Sequence, residues 1–162
     1  MPSTTCSTSL VRLAAIVVAC LVGAVAPASA ASPDDACALL TKQDAVAALG
    51  EAVTGPDSKS GLPMGPGMTA ASCAYAGSGY HKIDLTLIRL TPDAAAMYRA
   101  MCAQKGKEGL AGLGDTSCWY NNDHEELQVL KGTTFFSIEL RGFKNPTEPI
   151  KAAAKSVFAR LQ

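Results

Sequence analysis

The sequence predicts one α+β domain: an antiparallel sheet of about five to six strands with three flanking helices, in the order α-βββ-α-βββ-α. Segments with apolar residues at helical spacing begin near Thr41, Thr91 and Asn145. Two groups of segments with strand character, bounded by turn residues, lie between them. The connections within each group are short, which favours antiparallel pairing, because parallel strands need long crossovers.

The first thirty residues differ from this domain in composition. An apolar run of about 13 residues follows Arg12, and a small-x-small tripeptide, Ala-Ser-Ala, ends at Ala30. This order is that of a secretory signal peptide, and the apolar run is shorter than the roughly 20 residues of a membrane-spanning helix. We therefore expect cleavage after Ala30, with residues 31–162 as a single domain.

A second interpretation of the N-terminus is lipid attachment at Cys20, because the residues Val-Val-Ala-Cys fit a lipoprotein processing box. The apolar stretch between Arg12 and Cys20 is short, and the residues after Cys20 stay apolar where a tether is usually polar. Lipidation is therefore the less favoured alternative. Either interpretation predicts a periplasmic or secreted domain with no membrane span in the mature chain.

Composition and charge exclude two classes of function. The chain is 48% hydrophobic and 17% charged, which is not the composition of a disordered protein. It has 14 basic and 14 acidic residues, and loss of Arg12 with the signal leaves a net charge of about −1. A nucleic-acid binder that relies on bulk positive charge is therefore not expected.

Four cysteines remain after the expected cleavage: Cys37, Cys73, Cys102 and Cys118. An even number in an exported chain predicts two disulfides, with three alternative connectivities. We favour Cys37–Cys73 and Cys102–Cys118, because each pair would join a predicted helix to a strand that follows it. Neither the Cys-x-x-Cys spacing of redox motifs nor the paired short spacings of zinc sites occur, so no metal or cofactor is predicted.

The first predicted helix begins at Thr41, a suitable N-cap, and ends at Gly50, a suitable C-cap. Residues 34–40 precede it as a short helical turn. Val46 and Leu49 lie on one face of this helix.

The first group of strands includes a segment rich in turn residues. A short strand is expected near 52–54, and residues 55–68, with four glycines and three prolines, are expected to form a mobile surface loop. Strands are then predicted over 69–76 and 81–90. The second of these is the clearest in the chain, because apolar and polar residues alternate along it.

The middle helix is predicted to begin at Thr91 as N-cap, with Pro92 at its first position, and to continue to about Lys105. Its expected buried residues are Ala94, Met97, Tyr98 and Met101. The segment Gly112–Asp115 is predicted as a tight turn before the second group of strands.

That second group is predicted over 116–120, 126–131 and 133–141, with a hairpin turn at Lys131-Gly132. The final helix is expected over about 146–161. Its apolar stripe comprises Ile150, Ala153, Ala154, Val157, Phe158 and Leu161.

Several of these motifs, taken together, resemble those of a known family. They are Cys37-Ala-Leu-Leu-Thr41-x-x-Asp44-Ala-x-x-x-Leu49-Gly50, Cys73-Ala-Tyr75 and Gly112-Leu-Gly-Asp115, with the alternating hairpin and the terminal amphipathic helix. Over about residues 37–161 the chain resembles exported bacterial proteins and lipoproteins of unknown function with a PsbP/LpqN-like fold. The resemblance implies a Cys37–Cys73 bridge and no catalytic activity. Many members are lipidated just before the domain, whereas this chain has its better cleavage site at Ala30.

Two clusters are weak candidates for metal sites. Asn121–Glu126 is the most polar segment and contains Asp, His and Glu side chains, but a solvated hairpin loop is the favoured interpretation. Met64 and Met68 offer thioethers, which suit copper(I), but two are too few for a convincing site. No Gly-x-Ser-x-Gly motif occurs, so no catalytic residue is predicted.

A candidate binding surface lies on the last predicted strand. Phe135 should point away from Phe136, because side chains alternate along a strand. The Phe135 side also carries Glu139 and Arg141, and Trp119 is a further aromatic anchor for a partner. We expect a non-catalytic cell-envelope module that binds an envelope protein or a small ligand, without a cofactor. The alternatives are a hydrolase-like periplasmic or secreted enzyme and a lipid-anchored assembly or structural factor.

Overall fold

The computed structural model describes residues 35–104 and 109–161. The helices are α1 (Ala36–Leu39), α2 (Lys42–Leu49), α3 (Pro92–Gln104) and α4 (Thr147–Arg160). The strands are β1 (Thr54–Gly65), β2 (Met68–Ala76), β3 (Lys82–Arg89), β4 (Thr116–Trp119), β5 (Glu126–Lys131) and β6 (Thr134–Arg141). All pairs in the sheet are antiparallel, in the order β1-β2-β3-β6-β5-β4, which confirms the predicted α+β class. The expected signal peptide and Cys20 lie outside the described residues.

The two faces of the sheet are covered differently. Helices α1, α2 and α4 pack on the inner face, whose core includes Leu85, Leu127, Phe136 and Ile138, all fully buried. The outer face carries the alternate residues, among them Ile88, Phe135, Ser137 and Gln128, and α3 contributes to a smaller, separate core there. No helix within the described residues is long and apolar enough to cross a bilayer.

Helix α2 has the predicted N-cap and is joined to α4 by an ion pair. Thr41 Oγ1 accepts a hydrogen bond from the Asp44 amide, and the Asp44 carboxylate accepts one from the Thr41 amide at 2.9 Å. Arg160 of α4 donates to the same carboxylate at 2.7 Å, which joins the two helices. Of the two residues placed on one face, Leu49 is buried and Val46 is 39% exposed, and α2 packs through Ala45, Ala48 and Leu49.

The loop expected over 55–68 is replaced by a β-hairpin. Strand β1 runs along β2 with irregular register, and all twelve of its residues are exposed. Gly61 and Gly65 have positive φ, which lets an edge strand bulge where other residues would be strained. Prolines are tolerated on such an edge, because its outward amides pair with no neighbour. The glycine and proline content therefore predicted a loop where β1 forms a strand, because the hydrogen bonds of β1 come from β2.

Both predicted disulfides, Cys37–Cys73 and Cys102–Cys118, are confirmed. The first joins α1 to β2 beneath the inner face, and the second joins α3 to β4 on the outer face. Disulfides are typical of proteins in oxidising compartments outside the cytoplasm.

Helix α3 begins as predicted, with Thr91 Oγ1 accepting a hydrogen bond from the Ala94 amide at 3.2 Å. Its predicted buried stripe is only partly correct. Tyr98 is buried, but its buried companions are Ala95 and Cys102, whereas Met97 is 68% exposed and Met101 49% exposed. The side of α3 that carries Cys102 faces the sheet, because the disulfide joins Cys102 to β4.

Candidate functional site

A pocket of about 340 Å³ lies between α3 and the outer face of the sheet. Its volume falls within the roughly 300–1,000 Å³ of small-molecule sites. Most of the residues that line it are apolar or aromatic. The lining residues are Ile88, Leu90, Ala94, Met97, Tyr98, Met101, Cys102, Cys118, Trp119, Tyr120, Gln128 and Phe135. None of the described lining residues carries a charge.

The aromatic part of this wall follows from the strand register. Phe135 of β6 is paired with Ile88 of β3 on one side and with Leu130 of β5 on the other, which makes an apolar row across the outer face. Tyr98 of α3 packs edge-on against Phe135, with ring centroids 5.0 Å apart. The helix is thereby held above the row, with the pocket beside it.

The Cys102–Cys118 disulfide forms another part of the wall. Tyr98 Oη lies 3.6 Å from Cys118 Sγ and 3.8 Å from Cys102 Sγ. Disulfide sulfurs carry no hydrogen, so the tyrosine hydroxyl is the donor, and sulfur is a weak acceptor. Burial raises the pKa of Tyr98, so the hydroxyl keeps its proton at neutral pH.

Gln128 is the one carboxamide among the described lining residues. Its Nε2 donates to Glu126 Oε1 at 3.0 Å. A carboxylate accepts hydrogen bonds and donates none, so the atom of Gln128 that faces it must be the nitrogen. Within the described part of the chain, no hydrogen bond reaches the amide oxygen Oε1. The pocket wall therefore presents one acceptor, the Gln128 oxygen, and one buried donor, the Tyr98 hydroxyl.

The structure separates the residues predicted as a binding surface. Phe135 is 9% exposed and lines the pocket. Trp119 is 4% exposed and belongs to the inner-face core, although it also borders the pocket. Glu139 and Arg141 share the outer face with Phe135 but pair with each other at 2.6 Å outside the pocket. A binding role for the four residues stays a prediction.

The sequence interpretation missed Met97 and Met101 as candidate site residues. They were expected in the core, yet they are exposed and line the pocket, one helical turn apart. The signal available was chemical, since methionine is flexible and common at adaptable binding surfaces. Helical periodicity alone cannot distinguish a methionine that faces a core from one that faces an open pocket.

A second cluster joins Glu51, Ser78 and His81 at the turn between β2 and β3. Glu51 Oε1 lies 2.6 Å from His81 Nδ1, and Ser78 Oγ donates to Glu51 Oε2 at 2.6 Å. Nucleophilic catalysis needs the serine on the histidine ring, whereas here it is bonded to the carboxylate. The cluster fastens the turn to the segment after α2, and His81 stacks on Phe143 with centroids 4.4 Å apart.

This cluster predicts acid-sensitive stability. Hydrogen bonds from Ser78 and His81 lower the pKa of Glu51 to about 2, from an ordinary value of 4.5. Because the folded-state pKa is lowered, the carboxylate stabilises the fold above about pH 4.5, and this contribution is lost as the pH falls towards 2. Glu51→Gln should therefore lower the melting temperature at pH 6, and the difference from wild type should shrink towards pH 2. Thermal unfolding monitored by circular dichroism at both pH values tests this.

Glu148→Gln is the matched control, because Glu148 forms one exposed pair with Lys151. We expect its effect on the melting temperature to be small at both pH values. A Glu51→Gln difference as large at pH 2 as at pH 6 would contradict the assigned role of the carboxylate.

The two weak metal-site candidates from the sequence lie in the connection between β4 and β5 and in the β1–β2 hairpin at the sheet edge. Residues 120–125 connect β4 to β5, and His124, with φ of 56°, stacks on Trp119 at a centroid distance of 4.7 Å. Met64 lies on β1 and Met68 begins β2. Over residues 35–104 and 109–161, no group of three His, Cys, Asp or Glu side chains is arranged to hold a metal ion.

Comparisons with protein-family models, with curated proteins and with solved structures found no match. The chemistry of the pocket follows from its own residues. Those residues form an uncharged apolar concavity with one buried hydroxyl and one oriented carboxamide.

Proposed function

We propose that this chain is a non-catalytic, exported binding module of the cell envelope, periplasmic or secreted, whose pocket between α3 and the outer face takes a small apolar ligand. The observation that carries the proposal is the pocket itself, about 340 Å³ with an apolar wall. Pockets of this kind are the usual sites of small-molecule recognition in proteins.

The exposed side chains at the pocket support the proposal. Met97, Met101 and Tyr120 are each about half exposed or more, and together they place apolar surface in water next to the cavity. A ligand that covers this surface gains hydrophobic free energy, at about 25 cal/mol per Å² of apolar area removed from water. An engineered apolar cavity of about 150 Å³ binds benzene, so the present pocket is large enough for about a dozen non-hydrogen atoms.

The assignment to an exported module draws on two further features. The two disulfides fit an oxidising compartment. The first thirty residues have the order of a secretory signal, which predicts that the domain is delivered there.

Titration with a neutral solvatochromic dye such as Nile red tests the pocket. Wild-type protein should increase the dye fluorescence, and Ala94→Phe, which adds a ring at the pocket wall, should weaken binding at least tenfold. Ala100→Phe is the control, because Ala100 is exposed on the same helix and does not line the pocket. Equal dye binding by both variants would place the dye elsewhere and overturn the pocket assignment.

A further inference from the structure

The polar groups of the pocket wall indicate the chemistry of its ligand, and we infer that the ligand is an uncharged molecule with an apolar body and one hydroxyl group. This inference rests on the proposed pocket function and deepens it. It depends on the charge of the wall, the orientation of Gln128 and the position of the Tyr98 hydroxyl.

The charge of the wall disfavours an ionic ligand. The described lining residues include no Lys, Arg, Asp or Glu, so none of them would compensate a buried charge. Glu126 is next to this wall, because its carboxylate accepts the hydrogen bond from Gln128. An anionic ligand, such as a fatty acid, would bring its carboxylate towards a charge of the same sign.

Gln128 offers an acceptor to the ligand. Its nitrogen is turned to Glu126, so the group that remains for a pocket ligand is the carbonyl oxygen, which needs a hydrogen-bond donor. A hydroxyl group provides that donor. An ester or an ionised carboxylate has no hydrogen to give, and each would leave this oxygen unpaired and desolvated, which is costly.

The Tyr98 hydroxyl offers the complementary donor. Its contacts within the described residues are the two disulfide sulfurs, and both are weak acceptors. Cys118, whose sulfur lies 3.6 Å from the Tyr98 oxygen, is the register partner of Gln128 across β4 and β5, so both polar groups belong to the same part of the outer face. A ligand hydroxyl can pair with either group, as donor to the Gln128 oxygen or as acceptor from Tyr98.

Three ligands with the same ten-carbon chain separate the effect of ligand charge from that of the hydroxyl group. They are 1-decanol, methyl decanoate and decanoate. They have about the dozen non-hydrogen atoms that the pocket volume allows. At pH 8 the acid is ionised. Binding is measured by isothermal titration calorimetry below the critical micelle concentration and by fluorescence of Trp119, the single tryptophan of the chain.

We expect affinities in the order alcohol, ester, carboxylate, with decanoate at least tenfold weaker than decanol. Gln128→Leu should weaken decanol about three- to tenfold, the range for one net hydrogen bond, and leave the ester unchanged. Gln43→Leu is the control, because Gln43 is exposed on α2, away from the pocket. The thermal stability of the Gln128 variant is measured in parallel to show that it is folded.

The outcomes distinguish the two proposals. Decanoate binding as tightly as decanol overturns the neutral-ligand inference and leaves the pocket function standing. An equal loss of alcohol and ester affinity in Gln128→Leu overturns the hydrogen bond to the carboxamide. No binding by any of the three ligands overturns the pocket function, and with it this inference.

Discussion

Removing the Cys102–Cys118 disulfide is expected to weaken ligand binding in the pocket at least tenfold while the inner-face core stays folded. In the double variant Cys102→Ala/Cys118→Ala, α3 loses its covalent link to β4. The bridge closes a segment of 16 residues, for which the chain-entropy estimate is about 3 kcal/mol. We expect hydrogen exchange to show lost protection in α3, and decanol and dye titrations to show at least a tenfold loss of affinity.

The physical reason is that little else holds α3 on the sheet. Its noncovalent anchors include a small outer core around Tyr98 and Phe135 and the exposed Arg99 side chain, which pairs with Asp115 and donates to the Gly132 carbonyl at 2.9 Å. An exposed ion pair contributes at most about 1 kcal/mol, and an isolated helix of this length is marginal in water. The covalent link therefore outweighs the exposed ion pair, and the pocket wall depends on it.

The matched control for this prediction is Cys37→Ala/Cys73→Ala. That bridge spans 36 residues and is buried in the inner-face core, so its loss should lower global stability by about 4 kcal/mol. Protection should then fall across the inner-face elements as well as in α3. Unchanged ligand affinity after loss of Cys102–Cys118 would show that α3 is positioned without the disulfide.

Phe136→Ala should destabilise the fold by about 3–5 kcal/mol, whereas Phe135→Ala should mainly weaken ligand binding. The two residues are adjacent on β6 but face opposite sides of the sheet. Phe136 is fully buried in the inner-face core, and its loss leaves a cavity between the sheet and the helices. Phe135 borders the pocket, so removal of its ring enlarges the existing pocket and does not create a new closed cavity. Urea unfolding gives the stabilities, and decanol titration gives the affinities.

Because the two changes remove the same atoms at neighbouring positions, each serves as the control for the other. Phe135→Ala is expected to cost less than half of the stability lost in Phe136→Ala and to weaken decanol at least tenfold. Equal stability losses, with unchanged affinity in Phe135→Ala, would show that Phe135 serves only the outer core and would remove it from the site.

Local sequence patterns predicted the elements whose signals are contained in the segment itself. The cap at Thr41, the alternation along β3 and the turn at Gly112–Asp115 all appear where expected, because capping and alternation depend on neighbouring residues. The edge strand β1 was not predicted, because its signal does not lie within the segment itself. Its hydrogen bonds are supplied by β2, and no periodicity within 55–65 records that pairing.

The candidate site also combines features that local sequence predicts with features that depend on tertiary packing. Phe135 could be assigned to the face opposite Phe136 from strand alternation alone, and the structure places it there. Whether that face is covered depends on where α3 lies, which no local pattern encodes. The consequence is clearest at Met97 and Met101, whose helical spacing fits a buried stripe and an open pocket equally well.

The sequence by itself therefore determined the α+β class, the cap of α2 and the number of disulfides, with a preference among three possible pairings. These features follow from spacing, alternation and short-range hydrogen bonding. Only the tertiary structure decided that α3 lies on the outer face, joined to β4 through Cys102–Cys118, with a pocket of about 340 Å³ beside it. The reason is that a pocket is formed by residues distant in the chain, whose approach depends on packing and cross-linking across the whole fold.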